Sequence, residues 1–524
     1  MAKRSKRTQE QRTSEIKKTP VRTFLNLEAL EASPYFLPAL MACGLILGIL
    51  FYDPNLGLSG DDAQFINIGR SMAAGHGFSE MLEEEPVAHT KYPFGFPLLI
   101  AFVDLIFPGN LDALKGLVIL LYAVSLPLIY KVIRQIAEPA FAGMVFLLCL
   151  VSPPLLDFSH QVMSEIPFVP PALLALFFLH RAHEKPTYGN LAGAVIAMMA
   201  AYYIRSAGIA LVGTGVLFFV LHKQWKEAAI VGGGCFALAL PWSLRNSALG
   251  GGDYVNQLLS IDPYRPDQGL LTFGTLVERV VTNLEIYGLR EIPRIFLPSL
   301  ISEANWILGL VFSGVVLYAI ITGIQQRQVL PVYVFCYLSL HLLWPQVWSD
   351  IRFLIPAIPV LFYVFFNSGF NLLKRVTASS RTVMAVFFLL FAASNIYAAY
   401  QLSEQIGHFP PNWKNYFEAG DWIRDHTRSD AKVACRKPFL TNATSNRKTT
   451  GYIWESPEAI VKDFEKKNVD IVIVDQIGFA STPQYLIPAI QKYPDRFEVL
   501  HIVHNPDTYI LKFKRLEPGT GNAP

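Results

Sequence analysis

The sequence predicts a polytopic α-helical membrane protein of about eleven transmembrane helices, followed by a C-terminal α/β domain. Of its 524 residues, 52% are hydrophobic and 16% are charged, whereas a soluble globular protein has about a quarter charged residues. The apolar residues form blocks of about 15 to 23 with few charges, which is long enough to cross or nearly cross a bilayer core. The net charge is only +3, so no nucleic-acid partner is expected.

Hydropathy predicts where the spans lie. They are expected over residues 36–52, 112–131, 139–153, 166–181, 189–204, 207–222, 227–244, 301–323, 329–347, 351–370 and 382–400. Residues 93–107 are also apolar, but counting them as a span would invert every later loop. We therefore predict that they lie along the outer face of the membrane or re-enter it.

Loop charges predict the orientation. Alternate turns carry Lys and Arg, at 131–134, 181–185, 223–226, 327 and 374–381, whereas the turn 152–165 has neither. By the positive-inside rule the amino terminus is cytoplasmic and, after an odd number of spans, the C-terminal segment is extracytoplasmic. We expect an integral protein of a bacterial inner membrane that contacts membrane lipids.

Three regions follow from this topology. Residues 1–35 form a basic cytoplasmic arm, residues 36–400 form the transmembrane domain with outer loops at 53–111 and 245–300, and residues 401–524 form a soluble extracytoplasmic α/β domain. In the last region the pattern predicts helices near 412–426, 456–467 and 482–492, and strands near 431–437, 469–475, 497–503 and 508–514.

The first outer loop carries the strongest candidate for a functional residue. Ser59 followed three residues later by Asp62 is typical of a capping box that opens a helix. On that helix Asp61 shares a face with Phe65 and Ile68, and we expect the apolar part of the face to lie on the membrane surface. The role of Asp62 is explained by the capping of this helix. A carboxylate on the apolar face is costly without a task, so Asp61 is predicted to be functional.

These residues resemble a known motif. Asp61-Asp62, with Phe65 and Arg70 after it, resembles the Asp-Glu motif of the GT-C superfamily of membrane glycosyltransferases, and most closely the branch of the lipid A aminoarabinose transferases and the protein O-mannosyltransferases. Asp62 stands where that family commonly has Glu. Further similar segments are Thr90-Lys91-Tyr92-Pro93-Phe94-Gly95-Phe96-Pro97-Leu98, Met163-Ser-Glu165-Ile-Pro167, Arg352-Phe-Leu-Ile-Pro356-Ala-Ile-Pro359 and Trp413 with Trp422-Ile-Arg424.

The resemblance implies a GT-C-like catalytic domain and an inverting transfer of a sugar. The donor would be a polyprenyl-phosphate-linked sugar, and the acceptor an extracytoplasmic lipid, glycan or protein. Such a reaction needs one carboxylate as general base. Its leaving group departs as an anion and needs cations rather than a general acid.

Each role has a candidate residue. Asp61 is expected to be the general base, with Asp62 and Glu165 as supporting acids. Lys91 and Arg70 are expected to bind the lipid phosphate, with Arg205 and Arg352 as second choices. Snorkelling to lipid headgroups is the alternative explanation for such interfacial basic residues.

No cofactor is expected to be required. His76 and His89 near the site lack metal-ligand spacing, so a divalent metal, which some relatives bind, is not indicated. Two other functions stay open, a transporter or flippase and a pyrophosphate-lipid glycan ligase. The predicted spans contain almost no acidic residues and no inverted repeat, which argues against an ion-coupled transporter.

Overall fold

The computed structural model describes residues 27–83, 85–251, 253–265, 268–299 and 306–515. Of the predicted basic arm, residues 1–35, the first 26 residues lie outside the described residues. The same holds for the first five residues of the span predicted at 301–323.

Helices predominate among the described residues as far as Ser403. In chain order they are α1 (Leu27–Glu31), α2 (Phe36–Leu50), α3 (Asp61–Ala73), α4 (Gly95–Ile106), α5 (Leu111–Arg134), α6 (Pro139–Leu150), α7 (Pro153–Asp157), α8 (Glu165–Glu184), α9 (Tyr188–Ile204), α10 (Ile209–Leu221), α11 (Trp225–Ala248), α12 (Asp253–Leu259), α13 (Phe273–Glu285), α14 (Ile292–Phe296), α15 (Trp306–Gln325), α16 (Val329–Leu342), α17 (Ile358–Val376) and α18 (Ser380–Ser403). A short antiparallel hairpin of β1 (Ser79–Glu80) and β2 (Val87–Ala88) lies between α3 and α4.

The predicted spans coincide with helices. Within the described residues, six helices are long and apolar enough to cross a membrane: α5, α8, α11, α15, α17 with the 3₁₀ turn Ile351–Ala357 before it, and α18. The spans predicted at α2, α6, α9, α10 and α16 are shorter apolar helices, and so is α4, which we predicted to lie along the membrane. The number of crossings therefore stays a prediction.

One large apolar core joins these helices. α5 lies within it and packs against α2, α6 and α8. Other apolar side chains point away from the core, including Phe236 of α11, Leu317 of α15 and Leu389 of α18, which are 70%, 58% and 63% exposed. Soluble monomers rarely expose apolar surface to this extent, so these faces are expected to contact lipid.

The C-terminal segment has the predicted α/β fold. Its helices are α19 (Pro411–His426), α20 (Pro438–Ser445), α21 (Pro457–Lys466) and α22 (Ile487–Lys492), and its strands are β3 (Lys432–Ala434), β4 (Lys448–Thr450), β5 (Ile471–Val474), β6 (Phe497–Val503) and β7 (Thr508–Phe513). The five strands lie in the order β4-β3-β5-β7-β6, with β3 parallel to β4 and β5. The pattern of the sequence missed β4 and α20, which have only three and eight residues.

The helix that carries Asp61 is covered by protein, and the prediction that its apolar face lies on the membrane surface is wrong. Phe65 and Ile68 are 4% and 0% exposed, because α4 packs against α3. The contact is close at Gly69, where an added Cβ would lie 2.4 Å from Ile100 Cγ2. On its other side α3 packs against α20, and Ala63 belongs to the apolar core of the C-terminal domain.

Gly95, the first residue of α4, should be sensitive to substitution. A Cβ there would lie 2.6 Å from the backbone oxygen of Tyr203, and backbone cannot move aside as a flexible side chain can. Gly95→Ala is therefore expected to lower the free energy of unfolding by about 1–3 kcal/mol, measured as a lower melting temperature in detergent. Gly143→Ala in α6 is the matched control, because no atom lies within 4 Å of its Cβ. Equal melting of the two variants would contradict the close packing of α4 on α9.

Candidate active site

A cavity of about 370 Å³ lies between the helical domain and the C-terminal domain. The start of α3, the loop after β2, the turn after α9 and the segment between α16 and α17 surround it, and the C-terminal domain closes one side. Its charged lining residues are Asp61, Lys91, Arg205, Asp350, Arg352 and Lys437. Aromatic rings also line it, among them Tyr92, Tyr264, Trp344, Trp348, Phe353 and Phe479.

Asp61 stands at the first position of α3 and faces this cavity. The helix begins after Gly60, whose φ of +81° suits glycine. Asp61 Oδ2 accepts a hydrogen bond of 2.7 Å from Arg352 Nη2, and Oδ1 accepts one of 3.3 Å from the Tyr92 hydroxyl. Burial alone raises the pKa of Asp61, but Arg352, with smaller contributions from Lys91 and Lys437, lowers it below its ordinary value. Asp61 is therefore ionised at neutral pH.

Asp62 has a structural position, and the predicted capping box does not form. Its Oδ2 accepts from the Gly57 amide at 2.5 Å and its Oδ1 from the Ala63 amide at 2.8 Å. Gly60 stands at the N-cap without a side-chain cap. Asp62 is 2% exposed and does not line the cavity, and this burial raises its pKa to about 6.

Glu165 joins two of the predicted basic residues in one buried cluster. Its Oε1 accepts hydrogen bonds of 2.8 Å from Arg205 Nη1 and 2.6 Å from Arg352 Nε. Its side chain is 0% exposed. Both guanidinium groups also lie over the Phe353 ring, at 5.1 and 5.3 Å. Arg352 thus bridges Glu165 and Asp61, which fixes the orientation of Asp61.

Lys91 lines the cavity and lies on a loop that is held in place by a series of polar contacts. Glu80 contacts His89 Nδ1 at 2.7 Å, and His89 Nε2 accepts 2.8 Å from the Tyr92 amide. Lys91 Nζ lies 5.3 Å and 5.9 Å from the Tyr92 and Trp348 ring centroids. Burial lowers the pKa of Lys91. Within the described residues, no carboxylate lies within ion-pair distance of its ammonium group.

Arg70 lies apart from the other predicted residues. It is nine positions after Asp61, about 13.5 Å along the helix axis at 1.5 Å per residue, and on the opposite side. Its Nη2 donates to the Gly109 oxygen at 3.0 Å and its Nε lies 3.5 Å from Asp104 Oδ1. Since Arg70 does not line the cavity, its match to the family motif does not bring it to Asp61.

Two charged residues of the cavity were missed by sequence reasoning. Lys437 lies at the start of α20. Its Nζ donates a hydrogen bond of 2.8 Å to the backbone oxygen of Ser59 and lies 4.6 Å from the Phe479 ring centroid. Burial, and then the neighbouring Arg436, lowers the pKa of Lys437 to about 8. Asp350 lines the cavity as a second carboxylate, and its Oδ1 accepts a hydrogen bond of 3.1 Å from the backbone amide of Arg352. In the part of the chain that the structure describes, no three His, Cys, Asp or Glu side chains are grouped to hold a metal ion.

The Glu165 cluster should be important for stability. Glu165→Ala removes the buried carboxylate that two partly buried arginines share, and breaking a buried ion pair in this way costs about 3–5 kcal/mol. We expect a clearly lower melting temperature in detergent. Glu184→Ala is the control, because this glutamate of the same helix is 60% exposed and exposed changes stay within about 0.5 kcal/mol. Similar melting of the two variants would contradict the structural role of Glu165.

Comparisons with known proteins agree with the predicted resemblance. Residues 91–243 match the family described as dolichyl-phosphate-mannose-protein mannosyltransferase. ArnT from Cupriavidus metallidurans, in a structure bound to undecaprenyl phosphate, is 11% identical with a TM-score of 0.60, over 92% of this chain and 98% of that one. The oligosaccharyltransferase of Archaeoglobus fulgidus, tethered to an acceptor peptide, is 12% identical with a TM-score of 0.56, over 92% and 74%. No curated protein matches the chain.

These matches confirm the predicted fold class. The chain has the fold of the GT-C membrane glycosyltransferases, with a C-terminal sheet domain. The family match begins at Lys91, the cavity lysine of the loop before α4.

Proposed function

We propose that this chain, a protein of the GT-C fold, is an inverting glycosyltransferase that moves a sugar from a polyprenyl-phosphate-linked donor to an extracytoplasmic acceptor. The observation that carries the proposal is the cavity in which the Asp61 carboxylate and the Lys91 ammonium group both lie. Support for the donor comes from relatives of the same fold, since ArnT binds undecaprenyl phosphate and the matching family uses dolichyl-phosphate mannose.

The reaction needs one base and one cationic site. The acceptor oxygen or nitrogen forms a bond to the anomeric carbon as its proton passes to Asp61. The bond from that carbon to the phosphate oxygen breaks on the opposite side, so the configuration inverts. The electron pair leaves with the prenyl phosphate, whose charge grows from one to two, and Lys91 stabilises that growing charge.

Binding of the donor should make Asp61 a stronger base. Without a donor, Arg352 and Lys91 stabilise the carboxylate and keep its pKa low. A phosphate anion in the cavity competes for the same positive charges, and a nearby negative charge raises the pKa of a carboxyl group. Asp61 would thus become able to accept a proton only when the donor is in place.

The other predicted residues have supporting roles in this proposal. Arg352 and Arg205 orient Asp61 and Glu165, with which they form the cluster described above, so we assign phosphate binding to Lys91 first. Arg70 has no part in the reaction. The proposed steps use side chains of the protein alone, and no cofactor is assigned.

The proposed location is a bacterial inner membrane, with the cavity on the outer side. The basic amino-terminal arm and the lysines and arginines of alternate turns support this orientation. A prenyl-linked donor suits such a site, because its tail can stay in the lipid beside the exposed apolar helices.

The test is a panel of donors supplied to the purified protein. Polyprenyl-monophosphate sugars are expected to release prenyl phosphate in the presence of an acceptor, and the sugar is expected in the product with inverted anomeric configuration. Turnover of pyrophosphate-linked donors alone would favour a glycan ligase. Movement of intact lipid-linked sugar across vesicles, without release of prenyl phosphate, would favour a flippase.

A further inference from the structure

The C-terminal domain has its own crevice next to the cavity. β4, β3 and β5 are adjacent parallel strands, and the chain passes from β3 to β4 on one side and then to β5 on the other. The connections therefore reverse direction between β3 and β5. In open α/β sheets, ligands bind in the crevice at the carboxyl ends of the strands where this reversal occurs.

Residues from all three strand ends meet at this crevice. Arg436 and Lys437 follow β3, Trp454 follows β4 and Phe479 follows β5. The Arg436 guanidinium lies 4.4 Å from the Phe479 ring centroid and 5.5 Å from that of Trp454. Two aromatic rings thus hold the arginine in place at the mouth of the crevice.

Arg436 makes no hydrogen bond and no ion pair within 4.0 Å among the described residues, although its charge acts on the buried Asp475. Its Nε is buried and makes no hydrogen bond. The buried Asp475, which follows β5, has its hydrogen bonds elsewhere, because Thr482 Oγ1 donates to its Oδ2 at 3.1 Å and the Ile477 amide donates to its Oδ1 at 3.2 Å. A buried guanidinium nitrogen without a partner is unusual in a folded protein. Its fork of donors matches a carboxylate or a phosphate.

The crevice borders the cavity and shares Lys437 and Phe479 with it. Phe479 lines the cavity and also contacts both cations, with Lys437 Nζ 4.6 Å from its ring centroid. Lys437 lines the cavity as well and bonds to Ser59, two residues before Asp61. A molecule held at Arg436 therefore lies beside the cavity that contains the Asp61 carboxylate.

We infer that Arg436 and Lys437 bind an oxyanion of the acceptor, so that the substrate class is an acidic sugar that carries a carboxylate or a phosphate group. The inference rests on the proposed function, which supplies the donor and the reaction. The two cations on the C-terminal domain hold the acceptor, and Lys91 holds the donor. The C-terminal domain is thereby a specificity domain.

The experiment measures binding to the full-length protein in detergent. The probes are glucuronic acid, glucose 6-phosphate and neutral glucose, with undecaprenyl phosphate as a probe of the donor site. Arg436→Gln and, as a second variant, Lys437→Gln are expected to raise the Kd of the better-bound acidic sugar at least tenfold. Arg436→Gln, which lies outside the cavity lining, should bind undecaprenyl phosphate as the unaltered protein does. The matched control is Arg428→Gln, which precedes β3 and so lies at the other end of the strands, where its side chain is 72% exposed.

The outcomes separate this inference from the proposed function. Preference for glucuronic acid or for glucose 6-phosphate identifies the charged group. Equal binding of acidic sugars and glucose, or acidic-sugar binding unchanged in both variants, overturns the inference. So does an equal loss of undecaprenyl phosphate binding, because the cations would then belong to the donor site. Failure of Lys91→Gln to weaken undecaprenyl phosphate binding would count against the proposed donor site alone.

Discussion

Asp61→Asn is expected to lower the rate of sugar transfer by a factor of about 10² to 10⁴, the contribution typical of a positioned general base. The amide cannot accept the proton of the acceptor, but its oxygen can still accept a hydrogen bond from Arg352 and its nitrogen can donate one to the Tyr92 hydroxyl. The protein should therefore stay folded. The measurement is the initial rate of prenyl phosphate release, together with the melting temperature in detergent.

Asp350→Asn is the matched control for that experiment. Asp350 is the other carboxylate that lines the cavity among the described residues, and it bonds to the backbone of its own turn. We expect the Asp350→Asn variant to keep most of the transfer activity. A large loss in Asp350→Asn with normal rates in Asp61→Asn would transfer the role of base to Asp350.

Lys91→Gln is expected to lower transfer by about 10² to 10³, the usual cost of removing one preorganised group that stabilises developing charge. The neutral amide cannot offset the second negative charge of the departing prenyl phosphate. Lys91→Arg should retain part of the activity, since it keeps the positive charge. The rates are measured at saturating and at low donor concentration, so that changes in KM and kcat are seen separately.

Arg70→Gln tests whether Arg70, which matches the family motif but does not line the cavity, takes part in the reaction. Arg70 bonds to Gly109 and Asp104 at the far end of α3, and we expect transfer rates close to those of the unaltered protein. A loss comparable to that of Lys91→Gln would mean that Arg70 reaches the donor phosphate after all.

The sequence predicts much of the fold, because hydropathy depends on composition over many residues. Each predicted span has its helix, and the C-terminal strands with strong apolar patterns are found where they were expected. Hydropathy does not distinguish lipid from protein as the neighbour of an apolar face. For this reason the face of α3 with Phe65 and Ile68, which α4 covers, was assigned to the membrane surface.

The candidate site is less predictable, because it is built from distant parts of the chain. Asp61 could be found, since a carboxylate beside apolar residues at a helix start is unusual. Its contact with Arg352 spans 291 positions and that of Lys437 with Ser59 spans 378, and no local pattern carries such contacts. Motif spacing likewise does not show that Arg70 lies away from the cavity, because nine residues along a helix lead to its opposite side.

The most direct test of the central claim is an experimental structure of the protein with a bound polyprenyl-phosphate sugar or an unreactive analogue. We predict the phosphate within about 4 Å of Lys91 Nζ, a typical ion-pair distance, and the anomeric carbon facing the Asp61 carboxylate beneath Lys437 and Phe479. A donor bound elsewhere, with its sugar out of reach of Asp61, would contradict the proposed enzyme.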